Sequence, residues 1–476
     1  MVSGTEFAGR RVTVAGLGVS GGSAARALLG LGAEVTLVDG GDGERQRRQA
    51  AELTAAGVEV RLGEGDTLPK GTELVVTSPG WPPEHPLFAA AAAAGVEVWG
   101  DVELAWRLRG PGAAPWLAVT GTNGKTTTTG MLAAMLTAAG LRTAAVGNIG
   151  TPLLDVVLAD PPYDVLAVEL SSYQLHWAPS LRPHSATVLN LAPDHLDWHG
   201  SMAAYAADKG RIYQGNEVAC VYNVADPATE ELVRAADVVE GCRAVGFTLG
   251  PPAPGQLGVV EGLLVDRAFA GRRDVAVELA AVEDVRPPAP HNVANALAAA
   301  ALARAYGLAP EAVRDGLRAF TPDPHRIATV GEVAGVGYVD DSKATNTHAA
   351  AASLGSYPSV VWLAGGLAKG ATFDELVAAA ADRLRGVVLI GRDRGLIAEA
   401  LARHAPDVPV VDLEQTDTGA MAAAVRAAAR LASPGDTVLL APACASMDMF
   451  TNYHVRGDAF AAAVGQLATE REDHEQ

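Results

Sequence analysis

Short apolar segments typical of strands alternate with alanine-rich segments typical of helices along almost the whole chain. Residues 11–39 contain the strand VTVAG, a glycine-rich turn, an alanine-rich helix and the strand VTLVD. The same alternation returns in DVLAVEL at 164–170 and, beyond residue 326, in GVGYVDDS, SVVWLAGG, GVVLIG and DTVLLAP. Such alternation is typical of parallel sheets covered by helices, so the predicted fold class is α/β.

Two segments rich in glycine and proline interrupt this alternation and predict linkers. They are RLRGPGAAP at 107–115 and FTPDPHR at 320–326. Between them, residues 248–290 predict short strands or a loop excursion, and residues 291–307 predict a helix that ends at a glycine. A chain of 476 residues has room for several domains. We therefore predict three α/β domains in tandem, at residues 1–108, 109–322 and 323–476.

Charge and composition exclude several classes of protein. The chain has 36 Lys+Arg against 55 Asp+Glu, so its formal net charge is −19, which predicts neither nucleic-acid binding nor attraction to an anionic membrane. It has no uninterrupted apolar stretch of transmembrane length and no apolar signal core before the first strand. Its three cysteines form no CxxC motif. These features predict a cytoplasmic protein without a membrane partner or a disulfide framework.

Lysine is scarce. Only five of the 36 basic residues are lysines, namely Lys70, Lys125, Lys209, Lys343 and Lys369. Where arginine serves equally well the chain uses arginine, so a retained lysine is a candidate for chemistry that a guanidinium cannot perform. Lys70 lies in a predicted turn and is the exception.

Two glycine-rich turns each follow a strand and precede a helix. In the first, Gly16, Gly18 and Gly21 are followed by Asp39 at the end of the next strand. This turn predicts an anion site with an acid for a ribose or base edge; alone it would suggest NAD, and a plain turn is the alternative.

The second turn departs from the strict GxxxxGK[ST] spacing because Val119 stands at the first glycine position. Its backbone amides, lysine charge and threonine hydroxyl still predict a site for ATP phosphates and Mg²⁺. The residues of this turn are Gly121, Thr122, Asn123, Gly124, Lys125, Thr126 and Thr127.

Three further segments in the central part could join this site. Glu169 ends a predicted strand, where a carboxylate could bind Mg²⁺, although it could equally be a surface acid. His195 and His199 are four residues apart, but the glutamate of HExxH zinc sites is missing, so hydrogen-bonded histidines compete with a zinc site. Lys209 lies on a predicted helix, where a lysine usually faces solvent.

A last group of polar residues lies at the loop ends of the third predicted sheet and predicts an anion pocket. Its members are Arg326, Asp341, Lys343, Thr345, Lys369, Ser446 and Tyr453.

Taken in order, these motifs resemble the ATP-dependent Mur amino-acid ligases of peptidoglycan synthesis. The matching segments span residues 16–457 and include GLGVSG, TGTNGKTT, ELSSYQL, DHLDWHG, DKGRIY, HNVANALAA, PHR, DSKATN and PACASMDMF. DSKATN and ACASMDMF favour the branch that adds D-glutamate, and the DNPR-type motif of the diaminopimelate- or lysine-adding branch is absent.

The resemblance implies a Rossmann-like N-terminal domain, a P-loop-type central ATPase domain and a Rossmann-like C-terminal domain. It implies ATP and two Mg²⁺ as cofactors, and ligation of D-glutamate to UDP-N-acetylmuramoyl-L-alanine by a cytoplasmic monomer. A sister ligase that adds another amino acid is the alternative within the family. Outside it, a nicotinamide oxidoreductase leaves the Lys125 turn unused, and a non-catalytic nucleotide-binding scaffold leaves the metal set unused.

Residue roles follow from the matched motifs. The resemblance implies catalytic roles for Lys125, Glu169, His195 and Lys209, and metal binding by Thr126, Glu169, His195 and a carbamylated Lys209. It adds Asn292, Arg326 and Asp341 to the ATP site, and the last two would reach the nucleotide only after the third domain swings in. It assigns the UDP-sugar to Val19, Ser20, Asp39, Gly40, Ser78 and Asn148, and D-glutamate to Lys343, Thr345, Lys369, Ser446 and Tyr453.

Overall fold

A computed structural model describes residues 4–272, 274–415 and 419–475 of the chain. By its internal contacts the chain divides into two compact units. The first comprises residues 1–288 and 292–320, and the second comprises residues 289–291 and 321–476. No helix among the described residues is both long and apolar enough to cross a membrane.

The first unit begins with a five-stranded parallel sheet, counted over the described residues, in the order β3-β2-β1-β4-β5. The strands are β1 (Arg11–Ala15), β2 (Glu34–Asp39), β3 (Glu59–Leu62), β4 (Leu74–Thr77) and β5 (Glu97–Gly100). The helices are α1 (Val19–Gly30), α2 (Glu44–Ala56), α3 (Pro86–Ala93) and α4 (Asp101–Leu108). The order changes direction at β1, and doubly wound sheets bind ligands at such a point.

A second sheet in the same unit has nine strands among the described residues, in the order β14-β13-β12-β11-β10-β9-β6-β8-β7. They are β6 (Trp116–Thr120), β7 (Thr143–Gly147), β8 (Val165–Glu169), β9 (Ser185–Val188), β10 (Ala219–Asn223), β11 (Arg243–Phe247), β12 (Gln256–Val260), β13 (Leu263–Asp266) and β14 (Val277–Ala281). In their spatial order, the seven strands β7, β8, β6, β9, β10, β11 and β12 pair in parallel. Strand β13 pairs antiparallel with both β12 and β14. The interrupted segment 248–290 therefore forms short strands, one of its two predicted outcomes.

Helices cover both faces of this central sheet. They are α5 (Lys125–Ala138), α6 (Leu153–Val157), α7 (Ser172–His176), α8 (Leu196–His199), α9 (Met202–Gly210), α10 (Pro227–Arg234), α11 (Pro290–Tyr306) and α12 (Pro310–Ala319). Short 3-10 helices occur at Gly4–Phe7, Arg211–Tyr213 and Val282–Asp284. Helix α11 matches the helix predicted at 291–307. Its alanines from Ala298 to Ala303 are buried with Leu117 and Val119 of β6 in one core.

The second unit is built on a six-stranded sheet, counted over its described residues, in the order β15-β16-β20-β17-β18-β19. Its strands are β15 (Ala328–Val333), β16 (Val336–Asp340), β17 (Val360–Gly365), β18 (Leu384–Ile390), β19 (Val410–Asp412) and β20 (Thr437–Leu440). Its helices are α13 (Thr347–Leu354), α14 (Asp374–Ala380), α15 (Arg394–His404), α16 (Ala420–Leu431) and α17 (Tyr453–Glu475), with a 3-10 helix at Ala381–Arg383. All strands pair in parallel except β15 with β16.

The predicted α/β class is confirmed, and some local predictions were wrong. The first linker was predicted from residue 107, but α4 continues to Leu108 because its Val102, Leu104 and Ala105 face the core. Strand β15 was not predicted at all. The break between the compact units falls at residues 320 and 321, and the predicted domain bound at 322 stays a prediction. The division of the first unit at residue 108 stays a prediction.

Candidate active site

The glycine-rich turn after β6 is held by side chains from the neighbouring strand end. The Asn123 amide nitrogen donates to Asn190 Oδ1 at 2.9 Å, and Asn190 Nδ2 donates to the Asn123 carbonyl at 3.1 Å. Thr122 Oγ1 lies 3.0 Å from the Tyr205 hydroxyl. Lys125 Nζ donates to the carbonyls of Gly121 and Thr122, each at 3.0 Å. Hydrogen bonds from Lys125 therefore hold the turn from within, and Asn190 and Tyr205 hold it from neighbouring segments.

Gly124 caps the N-terminus of α5 in the left-handed region, with φ +85°. A Cβ atom there would collide with Asn295 Oδ1 on α11. Glycine is thus required both by the backbone angle and by the close approach of Asn295. The amides of Lys125, Thr126 and Thr127 follow in the first turn of α5, where helix N-termini favour anions.

Glu169 is the last residue of β8 and is 1% exposed. Its Oε1 accepts a hydrogen bond from Asn148 Nδ2 at 2.8 Å. Its Oε2 is buried and has no hydrogen-bond partner. A buried carboxylate oxygen without a partner is costly, and binding a divalent cation would remove that cost. Glu169 at the end of β8 and Thr126 in the first turn of the helix after the neighbouring β6 offer oxygen ligands, which Mg²⁺ prefers.

Lys209 lies near the end of α9 and is 2% exposed, so the usual solvent-facing position of a helix lysine does not apply. Its Nζ donates to the Gly121 carbonyl at 2.9 Å and lies 4.6 Å from the centre of the Tyr205 ring. Burial lowers the pKa of Lys209 well below its usual range, and the charge of Lys125 lowers it further. Lys209 and Lys125 therefore converge on the same turn.

His195 precedes α8 and adopts φ +53°, which is unusual for a residue other than glycine. Its ring lies 4.9 Å from that of Tyr173, and its side chain is 43% exposed. Burial of the ring lowers the pKa of His195, with the nearby charges of Lys125 and Lys209 acting in the same direction. His195 is thus the exposed member of the group that includes both lysines.

Asn292 was predicted to contact ATP, and the structure places it one helical turn before Asn295. The two asparagines lie on α11, with Asn295 Nδ2 3.5 Å from Asn292 Oδ1. Because Asn295 reaches Gly124, Asn292 lies close to the phosphate turn. Asn190, Tyr205 and Asn295 were missed by sequence reasoning, since single polar residues at these positions carry no distinctive spacing.

The first glycine-rich turn brings most of the predicted UDP-sugar residues to the edge of the N-terminal sheet. Asp39 Oδ2 accepts from the Leu17 amide at 2.7 Å, and its Oδ1 accepts from the Gly41 amide at 2.8 Å. Ser78 Oγ lies 3.4 Å from the Gly16 carbonyl. Val19, which is 73% exposed, and Ser20 begin α1, and Gly40 follows β2. Asn148 lies elsewhere, beside Glu169.

The two sheets of the first unit contact each other near these turns. Ser23 Oγ donates to Asp155 Oδ1 at 2.8 Å, and Ser180 Oγ donates to Glu103 Oε1 at 2.6 Å. Asp101, at the start of α4, is buried, which raises the pKa of its carboxyl group. The glycine-rich turns after β1 and β6 therefore belong to one compact unit.

In the second unit, the predicted D-glutamate residues follow three neighbouring strands, β16, β20 and β17. Lys343 follows β16, and its Nζ lies 4.1 Å from the centre of the Tyr453 ring. Ser446 follows β20, and Lys369 follows β17 with φ +49°. Leu367 bridges to Ala445, which brings the loops after β17 and β20 side by side. Thr345 follows Lys343, so all five predicted residues lie at one edge of this sheet.

Arg456 supports this edge and was missed by sequence reasoning. It is 1% exposed and donates to Ser342 Oγ at 2.9 Å and to the Cys444 carbonyl at 3.1 Å. Burial lowers the pKa of Arg456 to about 10. Asp341 of the same edge is buried, hydrogen-bonded by Ser353, and burial raises its pKa to about 6. Arg326 lies close enough to oppose that rise with its positive charge.

Three domain families match the chain in succession. A Mur ligase MurD-like N-terminal domain matches residues 10–100, a Mur ligase middle domain matches residues 119–303, and a Mur ligase glutamate ligase domain matches residues 325–444. The three matches follow the order of the three predicted domains.

Proteins of high similarity are found over nearly the full length. UDP-N-acetylmuramoylalanine–D-glutamate ligase of Streptomyces avermitilis is 77% identical over 464 residues, which cover 97% of this chain and 99% of that protein. The protein of the same name from Streptomyces coelicolor is 76% identical, covering 97% and 99%. That of Thermobifida fusca is 63% identical, covering 97% and 100%.

Solved structures of more distant proteins share the fold. A pseudomurein peptide ligase type C from Methanothermus fervidus superposes with a TM-score of 0.58 at 17% identity, covering 96% of this chain and 100% of that one. MurF ligase from Thermotoga maritima, in complex with ADP, gives a TM-score of 0.57 at 16% identity, covering 92% and 95%. With full-length relatives at up to 77% identity and all three domain families in order, the chain belongs to the Mur ligase family.

Proposed function

We propose that this chain joins the amine of D-glutamate to the carboxylate of UDP-N-acetylmuramoyl-L-alanine at the expense of ATP. The reaction is the one named for relatives of up to 77% identity over nearly the whole chain. The observation that carries the proposal is that Lys125 and Lys209 both donate to the turn after β6. On the neighbouring strand β8, Glu169 keeps a buried Oε2 without a hydrogen-bond partner.

The order of steps follows from the poor electrophilicity of a carboxylate. An oxygen of the substrate carboxylate attacks the γ-phosphorus of ATP, so that an acyl phosphate forms and ADP leaves. The free amine of D-glutamate then attacks the acyl carbon, and the tetrahedral intermediate collapses to an amide with loss of phosphate. The amine loses its proton in this step, and phosphate takes the bonding pair of the broken C–O bond.

The residues of the turn supply binding and charge in this scheme. The amides at the start of α5 point toward the phosphates, and Lys125 exchanges its hydrogen bonds to Gly121 and Thr122 for the γ-phosphate oxygens. Mg²⁺ held by Thr126 and Glu169 would supply positive charge against the negative charge that spreads over the transferring phosphoryl group. Glu169 itself is 1% exposed, so the carboxylate that would hold the ion is shielded from water.

We assign two Mg²⁺ ions to this site. Thr126 and Glu169 hold the first, and Glu169, His195 and Lys209 hold the second. An ammonium group cannot bind a cation, so Lys209 serves as a carbamate. In that reaction its neutral amine attacks CO₂, a N–C bond forms, and one proton leaves to solvent. Support comes from the burial of Lys209 and from its position beside Gly121, where a carboxylate-like group would face the phosphate turn.

We assign the UDP-sugar to the edge of the N-terminal sheet and D-glutamate to the edge of the second unit's sheet. The first set is Val19, Ser20, Asp39, Gly40 and Ser78 at that edge, with Asn148 beside Glu169 at the end of the substrate that carries the reacting carboxylate. The second set is Lys343, Thr345, Lys369, Ser446 and Tyr453. The side-by-side loops of the second unit and the cationic Lys343 suit a dicarboxylate. ATP contacts by Asn292, Arg326 and Asp341 stay predictions, as do the cytoplasmic location, the monomeric state and the lack of nucleic-acid or membrane partners.

The test is phosphate release from ATP with UDP-N-acetylmuramoyl-L-alanine and one amino acid at a time. D-Glutamate is compared with L-glutamate, L-alanine, L-lysine and meso-diaminopimelate. Turnover with D-glutamate alone supports the proposal. Turnover with another amino acid would assign the chain to a sister activity, and absence of turnover with all five would contradict the UDP-sugar assignment.

The carbamate is tested separately with ¹³C-labelled bicarbonate. We expect a carbamate carbon resonance in the wild type that is missing in Lys209→Ala. Short-chain carboxylates should restore part of the activity of Lys209→Ala because they supply the missing oxygen ligands. A fully active wild type that shows no carbamate resonance in labelled bicarbonate would contradict the assignment.

A further inference from the structure

A buried hydrogen-bonded cluster lies behind the candidate metal site, and the mechanism above does not use it. The Asp208 cluster consists of Asp208, His176, His199 and Ser172. Asp208 Oδ2 lies 3.0 Å from His176 Nδ1 and 3.0 Å from His199 Nδ1. His199 Nε2 lies 2.9 Å from Ser172 Oγ. One carboxylate therefore joins two imidazoles, and one of these continues to a hydroxyl.

The centre of the cluster is shielded from solvent by its neighbours, whereas His176 at its edge is 25% exposed. The side chain of His199 is fully buried, and that of Asp208 is 8% exposed. Tyr173 stacks on His199 with an angle of 5° between the rings and 5.5 Å between their centroids. Arg211 Nε lies 3.1 Å from Asp208 Oδ1 and is the cation that faces this carboxylate. Buried networks with every member bonded hold a single geometry.

The cluster joins three segments of the chain, and each of these segments carries one proposed ligand of the second Mg²⁺. Ser172 comes three residues after Glu169, His199 comes four residues after His195, and Asp208 is adjacent to Lys209. Helices α7, α8 and α9 supply these cluster members. Helix α8 spans only Leu196–His199, so it cannot fix the position of His195 by its own stability.

We propose that Asp208 is a positioning residue for the second metal site. It fixes the relative placement of Glu169, His195 and Lys209 by tying their segments together through the two histidines. Metal ligands need such outer partners, because their loss costs affinity even when every ligand remains. The proposal rests on the proposed function, since it presupposes that these three residues bind a cation.

The test uses the full chain, Asp208→Asn, and Mn²⁺ as the probe ion. Asparagine keeps the size of the side chain, but its NH₂ group must stand either at the Oδ2 position, against both histidines, or at the Oδ1 position, against His176 and Arg211. In either orientation a donor replaces an acceptor and part of the cluster is broken. Bound Mn²⁺ is counted by electron paramagnetic resonance with ADP and bicarbonate present. We expect two ions in the wild type, and in Asp208→Asn one ion unchanged and one bound at least tenfold more weakly.

Asp266→Asn is the matched control. Asp266 is a fully buried carboxylate on β13 of the same sheet, paired with Arg304 Nε at 3.0 Å. The Asp266→Asn variant should bind both ions with wild-type affinity, whatever its thermal stability. If Asp208→Asn fails to fold, His199→Gln serves instead, because it breaks the link between Asp208 and Ser172 and leaves the carboxylate and Arg211 in place.

The outcomes separate this inference from the function on which it rests. Loss of the second ion in Asp208→Asn but not in Asp266→Asn supports it, together with an unchanged KM for the UDP-sugar. Equal loss in both variants, or two ions of wild-type affinity in Asp208→Asn, would overturn it. A wild type that binds one ion and still turns over D-glutamate would overturn the inference while leaving the proposed reaction intact.

Discussion

Asp39 and Glu169 occupy equivalent places in two different sheets. Each is the last residue of a parallel strand, and in each case the neighbouring strand runs into a glycine-rich turn. Both oxygens of Asp39 accept backbone hydrogen bonds, from the amides of Leu17 and Gly41. Glu169 has one oxygen bonded to Asn148 and one buried oxygen without a hydrogen-bond partner.

The difference shows that position in an α/β sheet does not by itself decide what an acid does. Both oxygens of Asp39 already accept backbone hydrogen bonds from two loops, so the main role of this carboxylate is to hold the shape of the turn. Glu169 keeps an oxygen for a ligand, and Lys125 and Lys209 both donate to the glycine-rich turn that follows the neighbouring strand, whereas no lysine occurs in the first glycine-rich turn. Four substitutions would break or sharpen this comparison.

Lys125→Ala should have the largest effect. The lysine is the charge of the second turn that can meet the γ-phosphate, so its loss should lower kcat by about 10³–10⁴-fold. The Kd for the UDP-sugar, measured by calorimetry, should change by less than about twofold. Lys70→Ala, at an exposed position, is the control. Loss of UDP-sugar binding in Lys125→Ala would show that the two turns are not functionally separate.

Glu169→Gln should come next. The glutamine retains the oxygen that Asn148 contacts but loses the charge, so kcat should fall by about 10²–10³-fold and the Mg²⁺ concentration for half-maximal activity should rise. Without Mg²⁺ the lost oxygen and the new NH₂ group both lack a hydrogen-bond partner, so their costs largely offset and the free energy of unfolding should change by less than about 1 kcal/mol. Chemical denaturation without Mg²⁺ measures this. Strong destabilisation of Glu169→Gln would show that Glu169, like Asp39, stabilises the fold itself.

Asp341 provides a third carboxylate, directly after β16 of the second unit. Burial raises its pKa from the usual value near 3.8 to about 6, so the folded chain favours the protonated acid. Its contribution to stability is therefore complete below pH 4 and is lost as the pH rises through 6. A shift of about two pH units corresponds to about 3 kcal/mol.

The measurement is the melting temperature between pH 4 and pH 7.5 for the wild type and for Asp341→Asn. The wild type should lose stability relative to the variant across this range, because asparagine does not titrate. Asp382→Asn, at an exposed position, should follow the wild type. Parallel curves for wild type and Asp341→Asn would contradict a raised pKa in the folded chain.

The strand and helix order could be predicted from the sequence because buried parallel strands and alanine-rich helices have distinct patterns. DVLAVEL predicted β8 within one residue at each end, and Glu169 fell at its carboxyl end as expected. The second glycine-rich turn could be predicted because its amides, lysine and hydroxyl have a fixed spacing. Burial of Lys209 could not be predicted, since it depends on how α9 lies against β6 and not on the residues around the lysine.

The residues that support the site could not be predicted for the same reason. Asn295 reaches Gly124 from a helix that begins about 165 residues later, and Asp208 bonds two histidines that carry no joint spacing signal. Sequence patterns report what a single segment presents to its surroundings. Contacts between segments that are distant in sequence became visible only in the folded chain.

Asp39→Ala should have the smallest effect on catalysis and completes the comparison. It leaves the amides of Leu17 and Gly41 without their acceptor, which should cost about 1–3 kcal/mol of stability. The KM for the UDP-sugar should rise by about 10- to 30-fold, with kcat within about threefold of the wild type, because the phosphate turn after β6 is untouched. Asp39→Asn keeps one acceptor, so its stability and its KM for the UDP-sugar should lie between those of the wild type and Asp39→Ala. A fall in kcat as large as that of Glu169→Gln, without a rise in KM, would mean that Asp39 acts on the transferring phosphate and that the two acids are not divided between shape and chemistry.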